Sequence, residues 1–279
     1  MNPSMISASV TMGQLQKKLD TISNNMANSN TTGFKRREAS FSDLLHQQVN
    51  NQGIPQHEGG RQTPDGLRVG AGARIAQTAV RMEQGSLQET ERQLDLALTN
   101  PSHFFQIEVE TDDGQEVRYT RDGAFYLSPS AGDAGQLNLV TANGDFVLGA
   151  DGPVTIPADY TDIVISDNGV ITVTGQDGAD VEVGQLELVN VERPQLLTQA
   201  GDNAFALADN LEELGYDLAD VLAVIAQADV SVRQGFIENS NVDLGKEMTD
   251  LLETQRAYQF NGQSISMADQ MMGLVNNLR

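Results

Sequence analysis

The residues most able to do chemistry are few. The chain carries three histidines, His46, His57 and His103, and no cysteine. None of the histidines stands in an H-x-x-x-H or H-E-x-x-H spacing, so no His-ligated metal site is expected. The lack of cysteine excludes disulfides, thiolate chemistry and cysteine-ligated zinc. Among 39 acidic residues, a carboxylate pair at glycosidase spacing arises by chance, and none can be nominated. The Asp-Gly pairs lack the alternating acidic series of a calcium loop. Gly70-x-Gly72 lacks the third glycine and the surrounding βαβ unit of a dinucleotide site. Asn30-Thr31-Thr32 matches a glycosylation acceptor, a three-residue pattern common by chance. No G-x-S-x-G elbow, P-loop or kinase set is present. The expectation is therefore no catalytic residue, no metal, no cofactor and no enzymatic activity. The unusual stretch is amide-rich instead: "LDTISNNMANSNTTGFKRR", residues 19–37, places Asn24, Asn25, Asn28 and Asn30 at the end of a helical pattern. Asparagine favours caps and turns over helix interiors.

Charge narrows the partners. The formal net charge is −22, with no Trp and only 5% aromatic residues. A phosphate backbone would be repelled, and bases would find few stacking platforms, so no nucleic-acid partner is expected. The acid is concentrated. Residues 46–230 hold eight basic and thirty acidic side chains, while residues 1–45 carry +2 and residues 231–279 carry −2. The centre reads as a solvated body, and the near-neutral ends as segments able to lie against protein. No run of 18 apolar residues exists, so no membrane insertion is expected. A basic n-region followed by an apolar core is also absent, which alone makes the cytoplasm the default compartment.

The elements that must position these ends are legible by period. Met5, Ala8, Met12, Leu15, Leu19, Ile22 and Met26 step by 3 and 4 in strict alternation, a coiled-coil-like seam. It predicts a helix over about 4–28, roughly 37 Å long. At the other end, Leu244, Met248, Leu251, Tyr258, Ile265, Ala268, Met272 and Val275 share a stripe that Leu252, Met271, Leu274 and Leu278 widen. Gln255 and Gly262 interrupt it. The predicted helix, about 242–278, would reach roughly 55 Å. Residues 46–80 are polar and rich in Gln, Asn and Gly, a connector with a late strand near 67–80. Residues 103–208 show many short β-branched and aromatic runs. Turn dipeptides separate them: Asp113-Gly114, Asp122-Gly123, Asn143-Gly144, Asp151-Gly152, Asn168-Gly169 and Asp177-Gly178. In 210–230, Leu211, Leu214, Leu218, Leu222 and Ile225 suit a helix, an appended element.

The expected fold class is α+β: a compact, mainly-β central domain of many short antiparallel strands, flanked by long N- and C-terminal α-helices that pair in a coiled-coil-like layer. The divisions are 1–45, an N-terminal helix and turn; 46–80, a connector; 81–209, the β-rich domain; 210–240, an acidic linker with a possible short helix; and 241–279, the C-terminal helix.

The two ends resemble the bacterial flagellar axial proteins of the rod and hook family. At the first, the family's helix-end and Asn-Thr-x-Gly-Phe-Lys motif matches Leu19, Asp20, Ile22, Asn24, Asn25, Ala27, Asn28, Asn30, Thr31, Gly33, Phe34 and Lys35. At the second, the matches include Gln234, Gly235, Glu238, Ser240, Asn241, Val242, Glu247, Met248, Gln255, Arg256, Ala257, Tyr258, Asn261 and Asp269. Between them, 82–98 and 104–128 resemble the approach to a rod-type β-domain, with Tyr119-Thr120-Arg121-Asp122-Gly123 its clearest piece. The sequence departs from the family at Asn100-Pro101-Ser102-His103, where a glycine-containing turn is usual, and at 210–230.

This resemblance implies a distal-rod-like structural subunit of the flagellar basal body. It implies self-assembly through the terminal helices into a helical tube that surrounds the export channel and carries torque from motor to hook. The implied partners are copies of itself in a helical array, neighbouring rod and hook proteins, and the flagellar type III export apparatus. Export without a cleaved signal peptide replaces the cytoplasmic default. A hook or hook-associated subunit is the alternative, and a secreted β-rich adhesin or enzyme a remote one. The expected assembly residues are Met12, Leu15, Leu19, Ile22, Asn25, Met26, Asn28 and Phe34 at one end, and Leu244, Met248, Leu251, Gln255, Tyr258, Ile265, Met272 and Val275 at the other. Asn25 has two readings. Either it fixes register between packed helices, or the amides merely end the helix, with Asn28 and Asn30 as caps and Gly33 in a turn.

Overall fold

A computed structural model of the chain describes residues 3–43, 47–49, 67–69, 73–111, 114–130, 135–201, 203–207, 211, 215–226 and 229–277. The architecture is α+β, with a long helix at each end and a mainly-β middle. The chain divides into two compact units. One comprises Met1–Met26, Arg37–Ala79 and Leu244–Arg279; the other comprises Ala27–Arg36 and Val80–Asp243.

In the first unit, α1 spans Pro3–Ala27. Proline is tolerated at a helix's first position, where its missing N–H would lack a partner anyway. The helix ends at the asparagines, where the Thr31 N–H and hydroxyl donate to the Asn28 main-chain and side-chain oxygens at 3.2 and 3.1 Å. The strand Arg37–Asp43 pairs with Ala73–Val80, and Gln47–Val49 pairs antiparallel with Leu67–Val69. Most of the predicted connector, including His57 and Gly70-x-Gly72, lies outside the described residues, as does His46. The C-terminal helix runs unbroken over Leu244–Asn277 through Gly262, about 51 Å at 1.5 Å per residue. It is the third helix in chain order, α3; a one-turn helix, α2, spans Leu218–Val221 in the second unit.

The second unit is built on the hairpin of His103–Thr111 and Gly114–Thr120, paired from Phe105↔Thr120 to Thr111↔Gly114. Strand alternation sends Phe104 and Phe105 to opposite faces and so into different cores. Phe105 meets Phe125 edge-on at 5.1 Å, in a cluster with Leu96, Ile107, Leu139, Ile163, Ile171 and Leu188. Phe104 meets Phe205 edge-on at 5.8 Å, beside Val189, Val191 and Leu197. A three-stranded sheet of Tyr160–Ile165, Val170–Gly175 and Asp180–Gln185 turns Ile163, Ile165, Ile171 and Val173 into the first cluster.

The turn chemistry holds at Gly144, Gly152, Gly169 and Gly178, all with positive φ between short strands. Asp122-Gly123 is not a hairpin. A Cβ at Gly123 would lie 1.7 Å from the Leu96 carbonyl oxygen, so this glycine permits a close backbone approach.

The region predicted as an acidic linker over 210–240 belongs to the β-unit. Among the described residues its helix is α2, which ends where Val221 and Leu222 are buried in the second core cluster. Leu222–Val224 then pairs with Leu188–Val191. Val232–Gln234 pairs with Leu96–Leu98, and Phe236–Glu238 with Leu87–Glu89. Burial and strand pairing override the helical leucine spacing.

Candidate functional site: the terminal helices and a charge cluster at their roots

All seven seam positions of α1 are half-buried or buried, with Ile22 innermost. The opposite face is exposed and carries Ser9, Gln16, Lys17, Asp20 and Asn24. Met12, Leu15, Leu19 and Met26 therefore lie where their period places them. Asn25 is 1% exposed, and its partner is local. Its Nδ2 donates to the Arg37 carbonyl at 2.8 Å, and its Oδ1 accepts the Arg37 N–H at 2.9 Å.

α3 differs from its predicted stripe. Glu247, Thr254 and Ala268 are buried, and with the half-buried Leu251, Tyr258, Asn261 and Ile265 they form an inner seam that steps by 4 and 3 in alternation; Asp250, Ala257 and Gly262 beside it are also half-buried. Leu251, Tyr258 and Ile265 were in the expected set. Leu244, Met248, Gln255 and Met272 are exposed, and the Val275 side chain lies outside the described residues. Polar residues can occupy the inner seam because the helix satisfies them itself. The Thr254 hydroxyl donates to the Asp250 carbonyl at 2.6 Å, and Asn261 Nδ2 to the Ala257 carbonyl at 2.9 Å. On the far side, Leu252, Phe260, Met267, Met271 and Leu274 are exposed, Phe260 to 66%. At 100° per residue these five fall within one 100° arc, roughly opposite the inner seam. No described helix is long and apolar enough to cross a membrane.

The chain passes between the two units near Met26, Arg36, Ala79 and Asp243. On the β-unit side of these crossings lies a buried charge cluster that sequence reasoning did not assemble. Glu238 ends the strand Phe236–Glu238. Its Oε1 accepts from Lys35 Nζ at 2.7 Å and from the Gly85 N–H at 2.8 Å; its Oε2 accepts from Arg121 Nε and Nη2 at 2.8 and 2.6 Å. Arg121 Nη1 donates to the carbonyls of Asn100, Pro101 and His103 at 2.7 to 2.9 Å. The unusual Asn100–His103 turn thus serves as an acceptor cradle. Lys35 Nζ also reaches the Glu83 carbonyl at 2.8 Å. All three charged side chains are at most 1% exposed.

Two cations share one anion, and the electrostatics follow. Burial, reinforced by the Arg121 guanidinium and opposed by Glu238, lowers the Lys35 ammonium to about 8. Burial also lowers Arg121, again against Glu238, and it lowers His103 with help from Arg121. Burial pushes the Asp122 carboxyl up, against hydrogen bonds from the Ala124 N–H, the Thr32 hydroxyl and the Asn203 amide.

Phe34, expected at an assembly surface, is only 2% exposed, and its carbonyl accepts the Asn241 N–H. Asn28 forms part of the turn that ends α1. Gly33 sits at φ +69 with its Cα against Arg121 and Asp122. Lys35, Arg121 and Glu238 each stood in a recognisable motif, but only a fold could bring together residues so far apart in sequence.

A β-unit closed by a buried charge cluster, in a chain with a long amphipathic helix at each end of its sequence, is the pattern of an axial structural subunit. Comparisons with known proteins agree. Residues 6–35 match the flagella basal body rod protein model, 100–173 the flagellar hook protein FlgE/F/G D1 domain, and 233–278 the flagellar basal body rod FlgEFG protein C-terminal region. The chain is 42% identical to the flagellar hook-basal body complex protein FlhP of Bacillus subtilis, over 99% of each chain. It is 35% identical to the flagellar basal-body rod protein FlgG of Agrobacterium fabrum, over 96% of each. It is 30% identical to FlgG of Bacillus subtilis, again over 96% of each. The chain belongs to the flagellar basal-body rod protein family and is a structural subunit of the rod.

Proposed function

We propose that this subunit polymerises with copies of itself through α1 and α3. The inner seams of the two helices pair in a coiled-coil-like layer, and the outward apolar face of α3 packs on neighbouring subunits. The resulting helical tube encloses the export channel and passes torque toward the hook. Other rod and hook proteins adjoin it, and the flagellar type III apparatus exports the chain without removing a signal peptide. A distal-rod-like position is supported by similarity along the whole chain to FlgG. Within Bacillus subtilis, the higher identity to FlhP than to FlgG favours a role like that of the hook-basal body complex protein.

The observation that carries this reading is the exposed stripe Leu252, Phe260, Met267, Met271 and Leu274. A large apolar side chain contributes about 1.5–3 kcal/mol when taken from full exposure to full burial, and these five are only 55% to 66% exposed, so burying the rest supplies roughly 5–9 kcal/mol. Association itself costs roughly 4–15 kcal/mol. One stripe is thus marginal for a dimer, whereas several neighbours sharing such contacts sustain an array. Phe260→Glu tests it. The variant is expected to keep the amide-exchange pattern of the wild-type monomer and to lose both polymerisation and motility. Polymerisation of Phe260→Glu at the wild-type critical concentration would remove the stripe from the interface.

A further inference from the structure

The Glu238 cluster is part of a larger arrangement that assembly does not explain. Residues 32–36 lie among three strands of chain that are remote in sequence. The Gly33 N–H donates to the Glu238 carbonyl at 2.8 Å, and the Arg36 N–H to Asn241 Oδ1 at 2.7 Å. Asn241 Nδ2 donates to the carbonyls of Arg81 and Glu83 at 2.8 and 2.9 Å, and the Arg81 N–H donates to the Arg36 carbonyl at 2.9 Å. The Asn239 N–H closes the ring on the Ser86 carbonyl at 2.9 Å. The Thr32 hydroxyl reaches Asp122 at 2.8 Å.

Each charge needs the others. Without Glu238, the buried Lys35 and Arg121 would face each other as unpaired cations. Breaking such a buried pair is strongly destabilising, because the remaining charge has lost both water and partner. Without residues 32–36, Glu238 loses Lys35, and its main-chain carbonyl loses the Gly33 N–H. The links also span great distances along the chain, 203 residues from Lys35 to Glu238 and 205 from Arg36 to Asn241. Closing so long a loop costs more entropy than pairing strands close in sequence, so it is favoured once the intervening strands have shortened it.

We propose that residues 32–36 and 238–241 form a single latch: neither segment holds its place on the β-unit without the other, and the latch closes after the strands between them have paired. The roots of α1 and α3 are consequently secured, or released, together.

Amide hydrogen exchange on the full-length protein tests this. Glu238→Gln keeps the side-chain shape and removes the charge. It is expected to speed exchange at Gly33 and Arg36 by about tenfold or more, together with Gly85, and to leave Ile171 and Val173 in the three-stranded sheet unchanged. Asn241→Ala attacks the opposite side of the ring and is expected to give the same pattern, including at Gly85, which it does not touch. Loss confined to the amides each variant contacts directly would overturn the latch, as would uniform loss across the β-unit. Pulse labelling of the refolding wild type needs no variant. Gly33, Arg36 and Asn239 are expected to gain protection in one phase, after Ile171 and Val173. Protection of Gly33 and Arg36 ahead of Asn239 would refute the single latch, and protection of all three ahead of Ile171 and Val173 would refute the order of closure.

Discussion

Asn25→Leu probes how the first unit is closed. Asn25 is 1% exposed, and its amide meets one residue's main chain from both sides, donating to the Arg37 carbonyl at 2.8 Å and accepting its N–H at 2.9 Å. The side chain does what a neighbouring strand would do. It ties the last turn of α1 to the first residue of the strand Arg37–Asp43. Leucine is of similar size and can neither donate nor accept. Each buried main-chain group left unpaired costs about 1–3 kcal/mol. Arg37 is half-buried, so water recovers part of that, and the leucine's own burial returns up to about 2 kcal/mol. The balance is a loss of about 2 kcal/mol, or roughly a 30-fold rise in exchange at the Arg37 amide. Asn25→Asp separates the two bonds. It keeps an acceptor for the Arg37 N–H but sets a carboxylate oxygen against the Arg37 carbonyl, so the amide stays protected within about threefold while the unit loses stability. NMR-detected exchange on the full-length chain resolves both. An Arg37 exchange rate in Asn25→Leu within about twofold of wild type would refute the reasoning.

Three further outcomes follow from the same physics. Lys35 has a folded pKa of about 8 against 10.5 for an unperturbed lysine; the folded state therefore binds fewer protons between these values, and stability rises with pH across that window. The rise is up to about 3 kcal/mol, is lost as pH falls to about 8, and should vanish in Lys35→Met when the two proteins' denaturation is compared from pH 7 to 11. Gly33→Ala should cost about 3 kcal/mol or more in urea denaturation, since its Cβ would lie 2.5 Å from the Asp122 nitrogen. Gly235→Ala, at φ +79 with open space around it, should cost only about 1 kcal/mol; equal losses would contradict the steric argument. Polymerisation should improve as salt rises from low levels, because subunits of net charge −22 repel over a Debye length that shrinks to about 8 Å at physiological strength. Light scattering that falls with added salt would count against this.

What could be read from sequence was what repeats locally. The α1 seam was legible because seven apolar residues keep one period. Four Asn-Gly or Asp-Gly turns were legible because positive φ nearly demands glycine there. The same dipeptide misled at Asp122-Gly123, where glycine answers a long-range need, the approach of Leu96. Leucine spacing misled in 210–230, where α2 lasts one turn before burial of Val221 and Leu222 draws the chain into a strand. The charge cluster was invisible for a stronger reason. Lys35, Arg121 and Glu238 are 86 and 117 residues apart, and a buried Lys carries no local mark that separates it from a solvated one.

α3 misled most instructively. A stripe search ranks apolar residues first and so groups Leu244, Met248 and Met272 with Leu251, Tyr258 and Ile265 on one expected assembly stripe, although the first three are exposed and the last three half-buried. The helix instead turns Glu247, Thr254 and Asn261 toward its buried seam and leaves Leu252, Phe260, Met267, Met271 and Leu274 outside. For an isolated monomer this is the poorer arrangement. A single exposed leucine means little, but five large apolar side chains on one arc, interleaved with the exposed Glu253, Arg256, Gln263 and Gln270, are the kind of surface that marks an interaction site. Its inner counterpart carries three polar residues among seven. Thr254 and Asn261 bond within their own helix, so they add little desolvation penalty and little apolar gain. The helix therefore keeps much of its hydrophobic free energy unrealised in the free subunit. A sequence selected for the monomer alone would exchange the two faces. That it has not done so fits the proposed burial of the outward face of α3 against other subunits, where this helix would find its most favourable packing.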